Sequence, residues 1–372
     1  MDFTFYKNDM AEALKFVTKF AAVKPPTPIL AAVLLDVNPA GSLKLSTNNL
    51  DSAATCVIPC SCQQNFAATF AVDAQYLKAV VNKCDNDTIN IFADEHSFRV
   101  KSGSATFDML QFNADDFPQI KTHENFPIQI RAVTFKELID KTVFATSKKD
   151  ERPLFRGINL SLVGNGNDST LTATTTDTHR LAFGKTFVPS QAQNFTNVVP
   201  ATALKVIADF IDLKDTENKI AIAVDNKHFY ARINNMFLTT RIIDGAFPST
   251  DKLLNDEKII HTEFFRNEFK AALSRVALVA VQREHSAVQL TVTQDNIELS
   301  ADSDERGHVK EFIEAQSDGE ITIKFNINYL MQFVATMSAQ TLAAAFKDPF
   351  SPAIFTEKNN DNFSYVITPL RA

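Results

Sequence analysis

The chain of 372 residues carries 37 Lys and Arg against 44 Asp and Glu, a formal charge of −7, with 45% hydrophobic and 22% charged residues. That length exceeds what one hydrophobic core usually supports, so two or three domains are expected, and the balance excludes the disordered and fibrous classes. The charge excludes a protein that grips nucleic acid with a basic surface all over; basic residues that meet phosphates must be gathered on one face.

In chain order, the segment from Met1 to Phe16 lacks the basic-then-apolar layout of a signal peptide. No apolar run approaches the roughly 18 to 20 residues that cross a bilayer, so a cytoplasmic protein is expected. Overlapping its end, MAEALKFVTKFA, from Met10, has the apolar spacing of an amphipathic helix. A strand follows near Leu45 (LKLSTNN), then an apparent strand holding Cys56, Cys60 and Cys62, with Cys84 alone beyond it. The seven histidines form no metal-ligand pattern beside these thiols, so reduced cysteines, no metal and no cofactor are expected. A second short helix is centred on Leu77, with Asp73 placed to accept from the free N–H groups of its first turn. A strand at Phe107 (ATFDMLQF) leads into a polar connector around His123 (KTHENFP).

The same succession then recurs. FKELIDKTVFAT from Phe135, LTATTTD near Leu171, VPATALKVIADFI around Leu204 and MFLTTRII at Phe237 form a second set, with Pro200 suited to a helix start. After a charged connector around Asp256, FKAALSRVALVA from Phe269, IELSADS near Leu299, NINYLMQFVATM around Leu330 behind a capping Asn326, and NFSYVITPL at Phe363 form a third. The helices from Met10, Phe135 and Phe269 are 125 and 134 residues apart, too long for solenoid units and right for whole domains. We infer an α+β protein of three tandem domains, 1–128, 129–254 and 255–372, each itself a doubled unit. Duplication for several equivalent binding sites is one explanation; three equal modules in an arc, closed head to tail by a second copy, is another.

Six segments, PPTPIL (Pro25–Leu30), DDFPQI (Asp115–Ile120), TDTHRLA (Thr176–Ala182), DGAFPS (Asp244–Ser249), FNINYL (Phe325–Leu330) and YVITPLR (Tyr365–Arg371), carry a family resemblance. In their order and spacing the chain resembles the bacterial DNA polymerase III beta subunits, the beta sliding clamps, over its whole length. The resemblance implies three DNA-clamp domains, helices lining the inside and antiparallel sheets outside, closed into a ring as a head-to-tail homodimer. It implies a processivity factor that slides on duplex DNA without reading sequence. The implied partners are the DNA polymerase III alpha subunit, an ATP-driven clamp loader, and other replication and repair proteins carrying a clamp-binding peptide.

Carried over residue by residue, the peptide pocket comprises Phe155, Thr176, Thr178, His179, Arg180, Leu181, Pro248, Lys252, Leu253, Asn326, Tyr329, Val366, Ile367, Thr368, Pro369, Leu370 and Arg371. Leu181, Leu253, Val366, Ile367 and Leu370 are expected as an apolar floor, and His179, Arg180 and Arg371 as polar contacts at the rim. Three departures bear on it: Thr178 where the family usually has Gly, Lys252 where many members have Arg, and Thr368 with Ala372 in place of bulkier apolar residues. The expected DNA-facing cations are Lys15, Lys19, Lys24, Lys78, Lys83, Lys141, Lys148, Lys149, Arg152, Lys205, Lys270 and Arg275. The expected dimer seam sets Lys78, Arg99, Lys101 and Phe107 opposite Leu278, Val279, Asp302, Asp304 and Glu305.

Two other classes compete. An enzyme with duplicated domains would use Asp177 and His179, but the chain has no Gly-rich phosphate loop and no GxSxG. A multivalent adaptor would explain acidity and repeats, and would ignore DNA topology.

Overall fold

The computed structural model describes residues 1–63, 65–148, 152–166, 168–189, 192–280 and 286–371. Its helices are α1 (Lys7–Val17), α2 (Ala74–Lys83), α3 (Ala132–Val143), α4 (Ala201–Asp209), the single turn α5 (Asp251–Leu254), α6 (Arg266–Ala280) and α7 (Ile327–Thr336). The six longer ones fall at the repeat positions. Asp73 caps α2 by accepting from the Tyr76 N–H at 2.7 Å, and Asn326 caps α7 from Asn328 at 3.0 Å. Pro200 ends a strand immediately before α4.

The chain folds into two compact units. The first holds residues 1–136, 188–192 and 202–242. It contains a five-stranded antiparallel sheet in the order Ser61–Cys62, Asp2–Tyr6, Thr88–Ala93, Phe98–Ser102, Ala105–Met109. Its nine-stranded sheet runs Gln111–Phe112, Ala68–Asp73, Ala32–Asn38, Ser42–Asn48, Ser52–Pro59, Met236–Arg241, His228–Ile233, Lys219–Val224, Ile128–Arg131. Helix α1 lays its buried stripe of Met10, Ala13, Leu14, Phe16 and Val17 against α2 and the strands Ser42–Asn48 and Ser52–Pro59. This sheet is continuous across two repeats, because Ala54 of the first pairs with Leu238 of the second.

The second unit holds residues 137–187, 193–201 and 243–372. One run of twelve strands passes through it in the order Phe195–Pro200, Gly157–Asn165, Asp168–Thr176, Arg180–Val188, Phe363–Ile367, Ala353–Glu357, Thr341–Phe346, Ile260–Phe265, Gly307–Ser317, Asn296–Ser303, Ala287–Val292, Ile321–Asn326. Again two repeats share the sheet, with Leu181 paired to Val366. Helices α6 and α7 pack together, and α6 lies on Asn296–Ser303 and Gly307–Ser317. The chain has 32 Phe and no Trp, so phenyl rings fill this core: Phe333 stacks on Tyr365 with centroids 5.4 Å apart and meets Phe355 at 5.6 Å.

Lys141, expected to face DNA, is instead withdrawn into this unit. Its ammonium is 2.7 Å from Glu357 and 2.9 Å from Glu137, and its side chain is 12% exposed. Glu357, 4% exposed, also accepts from the backbone N–H groups of Ser338 and Ala339 and from the Asn360 amide. Burial alone would push the Glu357 carboxyl up; the bonds from Lys141, the two N–H groups and Asn360 outweigh it and hold it at about 2, against an ordinary 4.5. A buried charge with this many donors is costly to strip of its partners.

Glu357→Ala is therefore expected to destabilise the fold by about 3 to 5 kcal/mol. Because the folded value lies below the unfolded one, the carboxylate's contribution is complete above about pH 4.5 and is lost as pH falls through about 2. Urea melts across that interval should show the wild-type midpoint falling more than that of Glu357→Gln.

Candidate partner-peptide pocket, cationic faces and strand edges

The pocket is built around the turn Thr176–Arg180. Thr176 Oγ1 donates to the Arg180 carbonyl at 2.6 Å and accepts from the Thr178 N–H at 3.0 Å. Asp177 Oδ1 accepts from the N–H groups of His179 and Arg180, each at 3.1 Å, in the short-range pattern that lets Asp replace a backbone turn. The turn forces Thr178 to φ +78°, a left-handed conformation that a β-branched residue adopts only under strain and that glycine accepts freely.

Arg180 is not a rim contact. It is 7% exposed, and its guanidinium donates to Asp177 at 3.0 Å, to the Phe144 carbonyl at 2.8 Å, to Gln332 and to the Tyr365 hydroxyl at 3.3 Å. It also lies 4.3 Å from the Tyr329 ring centroid. Burial opposes its charge, and Tyr365 and Asp177 more than restore it, so the pKa is raised. The residue is the foundation on which the pocket stands. It ties the central repeat to α7 and to the last strand.

That strand brings the C-terminus alongside. Arg180 pairs with Ile367, the Thr368 N–H donates to the His179 carbonyl at 3.0 Å, and the Leu370 N–H donates to the Lys324 carbonyl at 2.8 Å. Leu181, Val366, Ile367 and Pro369 are buried, whereas Leu253 and Leu370 are about 40% exposed, so the expected floor divides into a covered half and an open half. The turn α5, carrying Lys252 and Leu253, packs against Phe363–Ile367. The segment Asp244–Ser249 also contributes, where Phe247, next to Pro248, meets Phe155 edge to face at 6.1 Å. Asn326 is committed as the α7 cap. Ala372 lies outside the described residues.

Beside the turn opens a cavity of about 460 Å³ lined by Phe155, Thr178, His179, Arg180 and Tyr329, together with Thr146, Ser147, Lys148, Arg152, Asp177 and Gln332. Lys148 and Arg152, expected on the DNA face, thus border the pocket, with Arg152 stacked 6.0 Å from the Phe155 ring. Their signal in the sequence was their position just before Phe155. The Ser147 N–H donates to the Phe155 carbonyl at 2.7 Å and draws that connector across. The Asp177–His179 dyad of the enzyme reading does not form: both Asp177 oxygens are taken by Arg180 and by turn N–H groups.

Among the remaining cations, Lys15 of α1, Lys19 of the 3-10 turn Thr18–Phe20 that follows it, and Lys78 of α2 form one group. Lys78 donates to Thr18 Oγ1 at 3.2 Å, and burial, then Lys19 and Lys15, lower its pKa. Arg99 and Lys101, expected with Lys78 at the seam, stand exposed on alternate positions of Phe98–Ser102. Lys24, Lys83 and Lys270 are exposed. Lys205 is paired with Asp209, and Arg275 is held by Glu311 through two bonds of 2.6 and 2.8 Å. Lys149 lies outside the described residues.

Of the strand edges without partners among the described residues, two carry residues of the expected seam. In the first unit the edge strand Ala105–Met109, with Phe107 half-buried, pairs only with Phe98–Ser102. In the second, Gly307–Ser317 pairs along Gly307–Glu314 with Asn296–Ser303, but on its other side only at Ala315–Ser317. Near that free stretch, Leu278 is 70% exposed, Val279 is half-buried, and Asp302, Asp304 and Glu305 are exposed. Arg306 donates to the Leu278 carbonyl at 2.8 Å and fixes the turn against α6.

Comparison with known proteins accords with this architecture. Models of the N-terminal, central and C-terminal domains of the DNA polymerase III beta subunit match residues 1–121, 129–249 and 252–371. The chain is 25% identical over 383 residues to the beta sliding clamp of Bacillus subtilis and 26% over 378 to that of Pseudomonas putida, covering all of both in each case. The sliding-clamp structure from Bacillus subtilis superposes with a TM-score of 0.92 at 25% identity, over 100% of this chain and 99% of that one. The Pseudomonas aeruginosa beta subunit has the same fold, with a TM-score of 0.90 at 24% identity over all of both chains. Three repeats of paired helices backed by shared antiparallel sheets are a clamp architecture. The chain belongs to the DNA polymerase III beta-subunit family.

Two substitutions separate foundation from strain. Arg180→Met should cost about 3 kcal/mol, because buried acceptors lose their donor. Thr178→Gly should stabilise by about 0.5 kcal/mol, the released strain exceeding the added chain entropy. Chemical denaturation of both variants measures the two effects; a neutral Arg180→Met would contradict the geometry above.

Proposed function

We propose that this chain is the processivity clamp of a DNA polymerase: a homodimeric ring that encircles duplex DNA and holds the polymerase through the pocket around Arg180. Family membership over the whole length carries the reading. The unpaired edges at Ala105–Met109 and Gly307–Glu314 support closure by a second copy, since an exposed edge invites pairing and needs a cover. In that closure Ala105–Met109, with Phe107, Arg99 and Lys101 beside it, adds to Gly307–Glu314 of another copy, and Leu278, Val279, Asp302, Asp304 and Glu305 flank the joint. Arg99 already holds Asp108 at 2.6 Å, so Lys101 brings the freer positive charge.

The group Lys15, Lys19 and Lys78 is the best-formed DNA-facing feature, joined by Lys24, Lys83 and Lys270. Such a group attracts phosphates without reading bases, and exchange between equivalent phosphates permits sliding. Retention then comes from enclosure and not from affinity, which suits a protein of net charge −7. A clamp loader must open the ring. Polymerase, clamp loader and repair proteins present a peptide whose apolar side chains reach Leu253, Leu370 and Phe155, while Lys148, Arg152, His179, Lys252 and Arg371 supply the polar border. The role is mechanical and not catalytic. Its place is the cytoplasm, where bacterial chromosomes are copied.

The decisive experiment loads the protein onto nicked circular DNA with a clamp loader. The clamp should stay with the circle through gel filtration and be released when a restriction enzyme linearises it; equal retention on both forms would refute enclosure. The double charge reversal Lys15→Glu with Lys19→Glu should lower loading several-fold while leaving the dimer intact. The combination Lys101→Glu with Leu278→Asp should yield monomers by sedimentation.

A further inference from the structure

A second groove lies wholly within the first unit. It has a volume of about 510 Å³, formed where the connector Phe117–Phe126 crosses the nine-stranded sheet. Its floor is one cross-strand row, since Leu34 pairs with Ser46, Ser46 with Thr55, Thr55 with Phe237, and Phe237 with Arg232. Five neighbouring strands spaced about 4.8 Å apart make this row about 19 Å long, the length of about six residues of extended peptide.

The row is polarised. At one end Asp36 and Lys44 neutralise each other at 2.9 Å. At the other the exposed Arg232 guanidinium lies 4.7 Å from the Phe126 centroid, and among the described residues no carboxylate comes within ion-pair distance of it. Phe126 is buried and meets Phe237 edge to face at 6.5 Å, so the guanidinium is stacked in place with its hydrogen-bonding edge unspent. An unbalanced cation beside a mostly apolar trough, in a protein of net charge −7, favours a ligand with apolar side chains followed by a carboxylate.

We propose that this groove is a second docking site, distinct from the pocket around Arg180, for an extended partner peptide of about six residues whose acidic end pairs with Arg232. The cation of the Arg180 pocket differs in kind. There the cation is buried and spent on its own fold, whereas Arg232 is exposed and available to a partner.

The test is fluorescence polarisation on the full-length protein with two labelled hexapeptides, Val-Phe-Val-Phe-Asp-Asp and Val-Phe-Val-Phe-Lys-Lys. The acidic peptide should bind at least tenfold more tightly. Arg232→Glu should reverse that preference, Arg232→Gln should abolish it, and Thr55→Phe, which fills the middle of the row, should weaken the acidic peptide at least tenfold. Melting curves matching wild type would show the variants folded, and Arg232→Gln retains the stem over Phe126 should the reversal perturb the fold. Equal affinity for both peptides, or indifference to all three substitutions, would overturn the proposal. So would a drop in assembled mass with peptide binding unchanged, which would assign the groove to a second copy of the chain.

Discussion

Backbone pairing across repeat boundaries is the constraint on which this molecule depends. A strand edge left in water is a row of unpaired donors and acceptors, and each repeat here covers an edge of its neighbour. Ser52–Pro59 of the first repeat is completed by Met236–Arg241 of the second, and Arg180–Val188 of the second by Phe363–Ile367 of the third. Three domains linked by short connectors are thereby welded into sheets of nine and twelve strands. Among the edges that remain, those at Ala105–Met109 and Gly307–Glu314 carry the expected seam, and both would be satisfied by a copy of the chain.

The peptide pocket is a product of the second weld. Pairing Arg180 with Ile367 places the turn Thr176–Arg180 beside the C-terminal residues, and the guanidinium of Arg180 then fastens that junction from beneath. The Lys141–Glu357 pair does the same from α3 to Ala353–Glu357, within the same sheet system. Both ion pairs are buried and richly hydrogen-bonded, so their worth lies in fixing one relative arrangement of strands more than in net stability. A pocket assembled at a weld inherits the rigidity of the sheet, which limits the entropy lost when a partner peptide docks.

The repeat was legible because helix periodicity survives sequence divergence: the stripes beginning at Met10, Phe135 and Phe269 each became a helix with a buried face. The caps at Asp73 and Asn326 were legible for the same local reason. What depended on long-range pairing was not. Glu357 lies 216 residues from Lys141, so nothing near Lys141 in the sequence marks it as a core ion and not a surface lysine. Arg180 is expected at the rim as one of the pocket's polar residues; the turn ends there, and the first strand residue points inward to Phe144 and Tyr329. Lys148 and Arg152, expected among the DNA-facing cations, line the cavity beside the turn, which only the path of the connector before Phe155 reveals.

The central claim is that the free edges at Ala105–Met109 and Gly307–Glu314 are covered by a second copy. Light scattering over a range of concentrations measures this directly against a chain mass of 41.3 kDa. The account predicts a species of twice that mass, unchanged on dilution through the micromolar range. A monomer persisting at every concentration would mean that the edges at Ala105–Met109 and Gly307–Glu314 do not meet, and the ring would have to be abandoned.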